Sequence, residues 1–315
     1  GSGLQCKGTV TIEGDAVIKN AQGGEEGAGI GSGAFGDSEI IIRGNAVIEN
    51  AESKYGGAGI GSGQGVVHYD DDTWEMIIDK KTVGNVTIEG NAKIENAKSG
   101  DGGSGIGGGP IGIGNVIIRG NAQIGNATGG GEGAGIGGGV YGTGGVTIEG
   151  NVTIENAKGG MGAAGIGGGA ESEPDVDGNG NKISIQGTEA GSPNITAKGG
   201  TASDDGQLSG GAAIGSGSEG NLSNPPTGDP DTFKTIIRIT DSNVTASSGL
   251  SAAIGSGSYS TNATEIHING GTINASSSSG SGIGSGDSAK GDTDILIKGA
   301  TKVTAKGGST AAGIG

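Results

Sequence analysis

The residues with most capacity for chemistry are gathered in one stretch, His68-Tyr69-Asp70-Asp71-Asp72, followed at Trp74 by the single tryptophan of the 315 residues. An exposed indole and phenol can lie against the apolar faces of sugar rings. Trp74 and Tyr69, with His68, Asp70, Asp71 and Asp72 beside them, therefore make a candidate ligand-binding platform. The run Trp74-Glu75-Met76-Ile77-Ile78 is also apolar enough to fold back over an outward Ile41 as a covering flap.

A second group is Glu171 to Asn181, ESEPDVDGNGN, in which Asp175, Asp177 and Asn179 alternate with smaller residues. Oxygen ligands in alternation, broken by glycine, can wrap a calcium ion, although the distal bidentate glutamate of a full loop is missing. A solvated acidic turn is the other use of such a string. A third pair is Glu49 and Glu95, which repetition places in one column one coil apart, near the ~5 Å carboxylate separation of retaining glycosidases. Nothing apolar lies nearby in sequence to raise one of them for general acid work, and columns of like charge arise from repetition alone. His68 and His267 are too far apart in sequence to form a metal set, and no G-x-G string opens a helix as a phosphate loop must.

These groups sit on a chain with 18 basic and 34 acidic residues and a formal charge of −16, which disfavours nucleic acid as a partner. No run approaches the roughly 18 apolar residues of a membrane span. Cys6 is alone and has no intrachain disulfide partner. Leu4-Gln5-Cys6 resembles a lipid-attachment site only superficially, because the residues before it are wrong.

What must position the groups is a repeated unit, best seen in Gly84 to Gly109. Val86 and Ile88 alternate with polar neighbours, then Ala92 and Ile94, then Ser104 and Ile106. A period of two in such short pulses means strands, and Gly90-Asn91 supplies a tight bend between them. The isoleucine of the third pulse recurs at Ile30, Ile60, Ile106, Ile136, Ile166, Ile214, Ile254, Ile283 and Ile314. That gives nine units, most of them 29 to 31 residues apart, with longer steps of 46, 48 and 40 residues. One unit has no means of drying its own apolar face, so the units must stack.

The expectation is an all-β, single-stranded, right-handed parallel β-helix over 1–315, with three short strands per coil and about nine coils. Insertions fall at 62–83, 168–181 and 216–234, all leaving from one edge. The chain stops inside a unit without a cap, which reads as a fragment of something longer. Strict alternation puts Asn20, Asn50, Asn96, Asn126 and Asn156 inside as an amide ladder ending near Asn156. It places Glu13, Arg43, Glu89, Arg119 and Glu149 outside as a column of alternating charge. Ala or Ser, then Gly or Ala, precede each third-strand isoleucine and Gly follows it, so that face reads as a flat strip of backbone shown to solvent. Glycine there serves either the bend or close approach by a polymer or another sheet.

Three strands per turn, the Gly-Asn bend and the stacked asparagine resemble the right-handed parallel β-helix of the pectate-lyase-like superfamily. The repeated Ile-Glu-Gly-Asn and Gly-Ala-Gly-Ile-Gly-Gly-Gly strings are similar to repeats of large secreted or wall-attached bacterial proteins described as adhesin-like or carbohydrate-binding. The resemblance implies fold more than activity, since such folds carry lyases, hydrolases and inert stalks alike. Uniform repeats, acidic charge and the absence of a catalytic cluster point, beside the resemblance, to a non-enzymatic, secreted or cell-surface module that adheres or binds extracellular polysaccharide or a host or cell-surface ligand. The alternative is a polysaccharide lyase or glycoside hydrolase acting on acidic polysaccharide. Regular threonine columns of an ice-binding face are broken by Ile41 and Ile117.

Overall fold

The computed structural model describes residues 3–74, 76–172, 180–203, 209–219 and 233–315. Its strands pair in parallel from coil to coil, Val86 with Val116, Ile94 with Ile124 and Ile106 with Ile136. Nine coils stack in this way, the ninth joined to the eighth at Ile283 and Ile314. The architecture is a parallel β-helix, and it contains no helix among the described residues.

Each coil contributes one isoleucine or valine pair from the first strand, Ile or Val and Ala from the second, and Ile from the third. In the middle coils these are fully buried, Ile88, Ile94 and Ile106 among them. They form one continuous core, because each side chain covers its neighbours one coil, about 4.8 Å, above and below. The expectation of three separate strands per coil holds for the first six coils. In the last three the first and second strands run together, as in Thr235–Ser248 and Thr264–Ser277. A residue of positive φ, Asp241 or Gly270, still turns the corner there.

The asparagine column is on the outside, not in the core. Ile94 and Ala97 are both buried while Glu95 and Asn96 between them face outward, so the second strand carries one extra residue per coil. The ladder itself is present on that surface. Each amide nitrogen donates to the oxygen one coil back, Asn50 to Asn20 at 3.2 Å, Asn96 to Asn50 at 3.1 Å, Asn126 to Asn96 at 3.0 Å and Asn156 to Asn126 at 3.2 Å. It ends at Asn156 because the next coil lacks the extra residue. Pairing jumps from Ile154–Ile195 to Ala157–Ala197, and the covered Asn156 Oδ1 is left without a partner. A second ladder climbs the bend, Asn45 to Asp15, Asn91 to Asn45, Asn121 to Asn91 and Asn151 to Asn121. The charge column is where the alternation puts it, with Arg43 bound to Glu13 and Arg119 to Glu89. Such exposed pairs favour one register and contribute little to stability.

The third face is not a solvent strip. The third-strand isoleucine lies at the inner end of a narrow loop whose two arms run side by side, Ser104 N–H donating to Gly108 O at 2.8 Å and Ala134 N–H to Gly138 O at 2.9 Å. Arms of successive coils also bond to one another, Gly130 to Gly103 at 3.0 Å and Gly139 to Gly112 at 3.0 Å. The result is a dense glycine ridge in which Gly105, Gly107, Gly108 and Gly109 are all buried. The polymer that approaches so closely is the chain's own backbone, and side chains are missing because there is no room for them.

Candidate functional site

Six coils leave the ridge through the same backbone position, five residues past the third-strand isoleucine. Phe35, Ile111, Tyr141, Glu171, Tyr259 and Ser288 all hold positive φ there, between 51° and 60°. The position is locked by a ladder of its own, Phe35 N–H to Gln64 O, Ile111 to Val140 and Tyr141 to Ala170, at 2.8 to 3.0 Å. Bulky residues in this conformation are uncommon, and the hydrogen-bonded neighbours on both sides hold them in it. The insertions start just beyond this column, after Gly65, Glu171 and Glu219.

The first insertion is an antiparallel hairpin of Val66–Tyr69 and Met76–Lys80. Asp70 closes its turn. One carboxylate oxygen accepts from the Thr73 N–H at 2.8 Å, the Asp72 N–H at 3.0 Å and the Thr73 hydroxyl at 3.0 Å. The Thr73 amide, followed by that of Asp72, holds the Asp70 carboxyl below its ordinary pKa. Trp74, at positive φ, is 80% exposed, Tyr69 58% and Ile77 40%. The apolar tip stays open to solvent, so the hairpin does not serve as the flap expected over Ile41. Its base is tethered in both directions, Lys80 Nζ to Phe35 O at 2.9 Å and Lys81 Nζ to Tyr141 O at 3.1 Å. His68 is engaged with Asp79 at 2.8 Å.

Tyr141, two coils further on, lies within electrostatic reach of Tyr69, and its hydroxyl is hydrogen-bonded to Glu171 in the next coil. Burial first, then the charge and hydrogen bond of Glu171 and the charge of Glu132, push the Tyr141 hydroxyl well above the ordinary tyrosine pKa. The fold thus brings together Tyr69, Tyr141, Glu132 and Glu171, of which the sequence reading named only Tyr69 as a ligand residue. The signal that could find Tyr141 and Glu171 is the fifth residue after each third-strand isoleucine; Glu132 has no such signal. Because the folded state keeps Tyr141 protonated while an unfolded chain loses the proton near pH 10, stability should fall as the pH rises past about 10. Tyr141→Phe should flatten that alkaline decline, read from thermal melts across the range.

The other candidates lie elsewhere. Glu49 and Glu95 share a column on the second strand's outer face, and Glu95 is paired with Lys93 at 2.8 Å. Glu95 in turn raises the Lys93 pKa through that hydrogen bond. Asp175, Asp177 and Asn179 fall outside the described residues. Asn181, at the end of the same string, is fully buried and structural, accepting from Gly144 N–H at 2.9 Å and donating to the Thr235 hydroxyl at 3.3 Å. Among the described residues no three His, Cys, Asp or Glu side chains come close enough to hold a metal ion. One constellation passed over in sequence is on the first sheet, where Lys234, Arg238 and His267 converge on Glu265 at 2.9, 3.2 and 3.3 Å. The Lys234 hydrogen bond holds Glu265 below its ordinary pKa.

A groove of about 550 Å³ crosses the outer rim of the glycine ridge over coils one to four. Glu25, Glu26, Tyr55, Asp101 and Glu132 line it, with Gln64, Pro110 and Val140 on the opposite arm. Lys54 holds its ammonium 5.1 Å from the centre of the Tyr55 ring.

Comparison with known proteins adds a repeat and no relative. The family described as Beta helix repeat matches residues 10–34, 237–258 and 266–287. No curated protein and no solved structure matches the chain. The three matched segments fall on coils one, seven and eight of the stack, and with the parallel register that runs through all nine coils they identify the chain as a parallel β-helix repeat protein.

Proposed function

We propose that this chain is a non-enzymatic module of a secreted or surface-attached bacterial protein, binding extracellular polysaccharide or a glycosylated host or cell-surface ligand. The observation that carries the reading is the exposed aromatic tip of the hairpin. Trp74 and Tyr69 are held out from a rigid rod by a turn built on Asp70 and a base tethered through Lys80 and Lys81. Exposed aromatic groups on a pre-ordered loop lose little conformational freedom on binding, which favours them as recognition residues. Asp71 and Asp72 at the same tip are exposed acceptors for sugar hydroxyls.

Glycan arrays and whole-cell binding test the proposal. Binding should be found in at least one of them, and Trp74→Ala should weaken it by about tenfold or more with the melting temperature unchanged. A blank result in both assays would remove the proposal. The competing reading, a lyase or hydrolase on acidic polysaccharide, gains one observation, the Lys234, Arg238 and His267 cluster. Release of unsaturated or reducing sugars, lost on changing Arg238 or Glu95, would establish it instead.

A further inference from the structure

Two asparagines of the chain are followed by glycine, Asn269 and Asn179, and Asn179 lies outside the described residues. Every other asparagine precedes a residue with a side chain, most often alanine or valine. Asparagine is chemically fragile because the next backbone nitrogen can attack its side-chain amide. Glycine in the next place has no Cβ to hinder that approach.

The Asn269-Gly270 pair sits at the corner where the first strand of the eighth coil runs into the second, and Gly270 and Gly271 hold φ of +82° and +88°. The point where a Cβ on Gly299 of the ninth coil would stand is 2.5 Å from Asn269 Oδ1, 3.6 Å from its Cγ and 3.4 Å from Gly270 N. The electrophilic carbon and the attacking nitrogen thus face the same small gap, on one side of the corner. Gly270 N–H, whose proton must leave, donates a hydrogen bond to the Thr301 hydroxyl at 2.7 Å.

The place in the fold also suits the product. Asn269 continues the outer column of Glu13, Arg43, Glu89, Arg119 and Glu149, and its register partner in the next coil is Lys298. A carboxylate at this position would face Lys298 as Glu13 faces Arg43 and Glu89 faces Arg119. The register slips here, the ninth coil fitting one more residue between Lys298 and Thr301 than the eighth fits between Asn269 and Gly271. A backbone lengthened by one carbon therefore has a precedent in the same turn.

We propose that Asn269 is a self-modification site. Gly270 N bonds to Asn269 Cγ as the Cγ–Nδ2 bond breaks, the Gly270 proton ends on the departing nitrogen, and ammonia leaves behind a cyclic imide. Water then opens the imide at either carbonyl, giving aspartate or isoaspartate. The net change is amide and water to acid and ammonia, and it adds one negative charge beside Lys298.

Peptide mapping by mass spectrometry tests this on the full chain, kept folded at mildly alkaline pH and sampled over weeks. Asn269 should turn to acid at least about tenfold faster than Asn243 and Asn274, exposed asparagines followed by Val244 and Ala275. Part of the product should accept a methyl group from an isoaspartate methyltransferase. Asn179 is read on its own peptide. Conversion of Asn269 no faster than that of Asn243 and Asn274 would overturn the proposal. So would an Asn269 that persists in the folded chain and converts only in urea, because the fold would then protect the pair. Asn269→Asp supplies the product directly, and its carboxyl, followed by nuclear magnetic resonance, should titrate at lower pH than in the same variant carrying Lys298→Ala. Identical titration in the two would overturn the pairing with Lys298.

Discussion

Ile94→Asp should unfold the stack. Ile94 is fully buried between Ile48 and Ile124, its register partners in the neighbouring coils. The substitution removes a core aliphatic side chain and places a carboxyl where no donor is positioned to meet it. Loss of the packed side chain and burial of an unpaired polar group together imply a cost of at least about 4 kcal/mol, a large share of the stability of an ordinary domain. The matched control is Gln123→Asp, an exposed position one coil further on, which should melt within a degree or two of the parent. Because coils contact mainly their neighbours, the damage should start in coils two to four and need not reach the last three in one transition. Thermal melts by far-ultraviolet circular dichroism read both outcomes. If Ile94→Asp melts with the parent, the inward face of the second strand is misassigned.

The second large effect is expected in the ridge. Gly137 has φ of +134°, and a Cβ there would run into the carbonyl of Gly167 in the next coil. Gly107 and Gly167 stand in the same relation to the coils that follow them. Gly137→Ala therefore combines a backbone conformation that side-chain-bearing residues avoid, about 1–3 kcal/mol, with overpacking of a further 1–3 kcal/mol or so. Gly24→Ala is the control, since nothing lies within 4 Å of a Cβ at that position. Urea titration should move the midpoint strongly for the first and hardly at all for the second. A small shift for Gly137→Ala would mean that neighbouring coils are not in the close backbone contact described.

How far these features could be read in advance depended on what each residue encodes. The stacked core was legible because Val86, Ile88, Ile94 and Ile106 recur at matched offsets, and burial follows from hydrophobicity once the offsets are known. The side on which Asn96 lies was not, because strict alternation makes no allowance for an extra residue. The recurring Ala21, Ala51, Ala97, Ala127 and Ala157 compete with it for the inward place, and the buried methyl wins over the amide. The ridge was hidden for a different reason. A Gly-Ile-Gly pulse has side chains on one face only, so periodicity says where the isoleucine points and nothing about what covers the glycines. The column of Phe35, Ile111, Tyr141 and Glu171 escaped notice because backbone geometry, not a shared chemistry, makes these residues equivalent. Among the candidate ligand residues, Trp74 and Tyr69 were legible as exposed aromatic groups in a polar insertion. The meeting of Tyr55 and Asp101 in one groove was not, since it exists only when coils are laid side by side.

Diffraction from crystals of the chain tests the central claim most directly. Ile88, Ile94 and Ile106 of one coil should lie under Ile118, Ile124 and Ile136 of the next, about 4.8 Å apart along a single axis, with the amide of Asn96 outside between Asn50 and Asn126. A map showing helices, or one that separates these isoleucine triads into different cores, would contradict it.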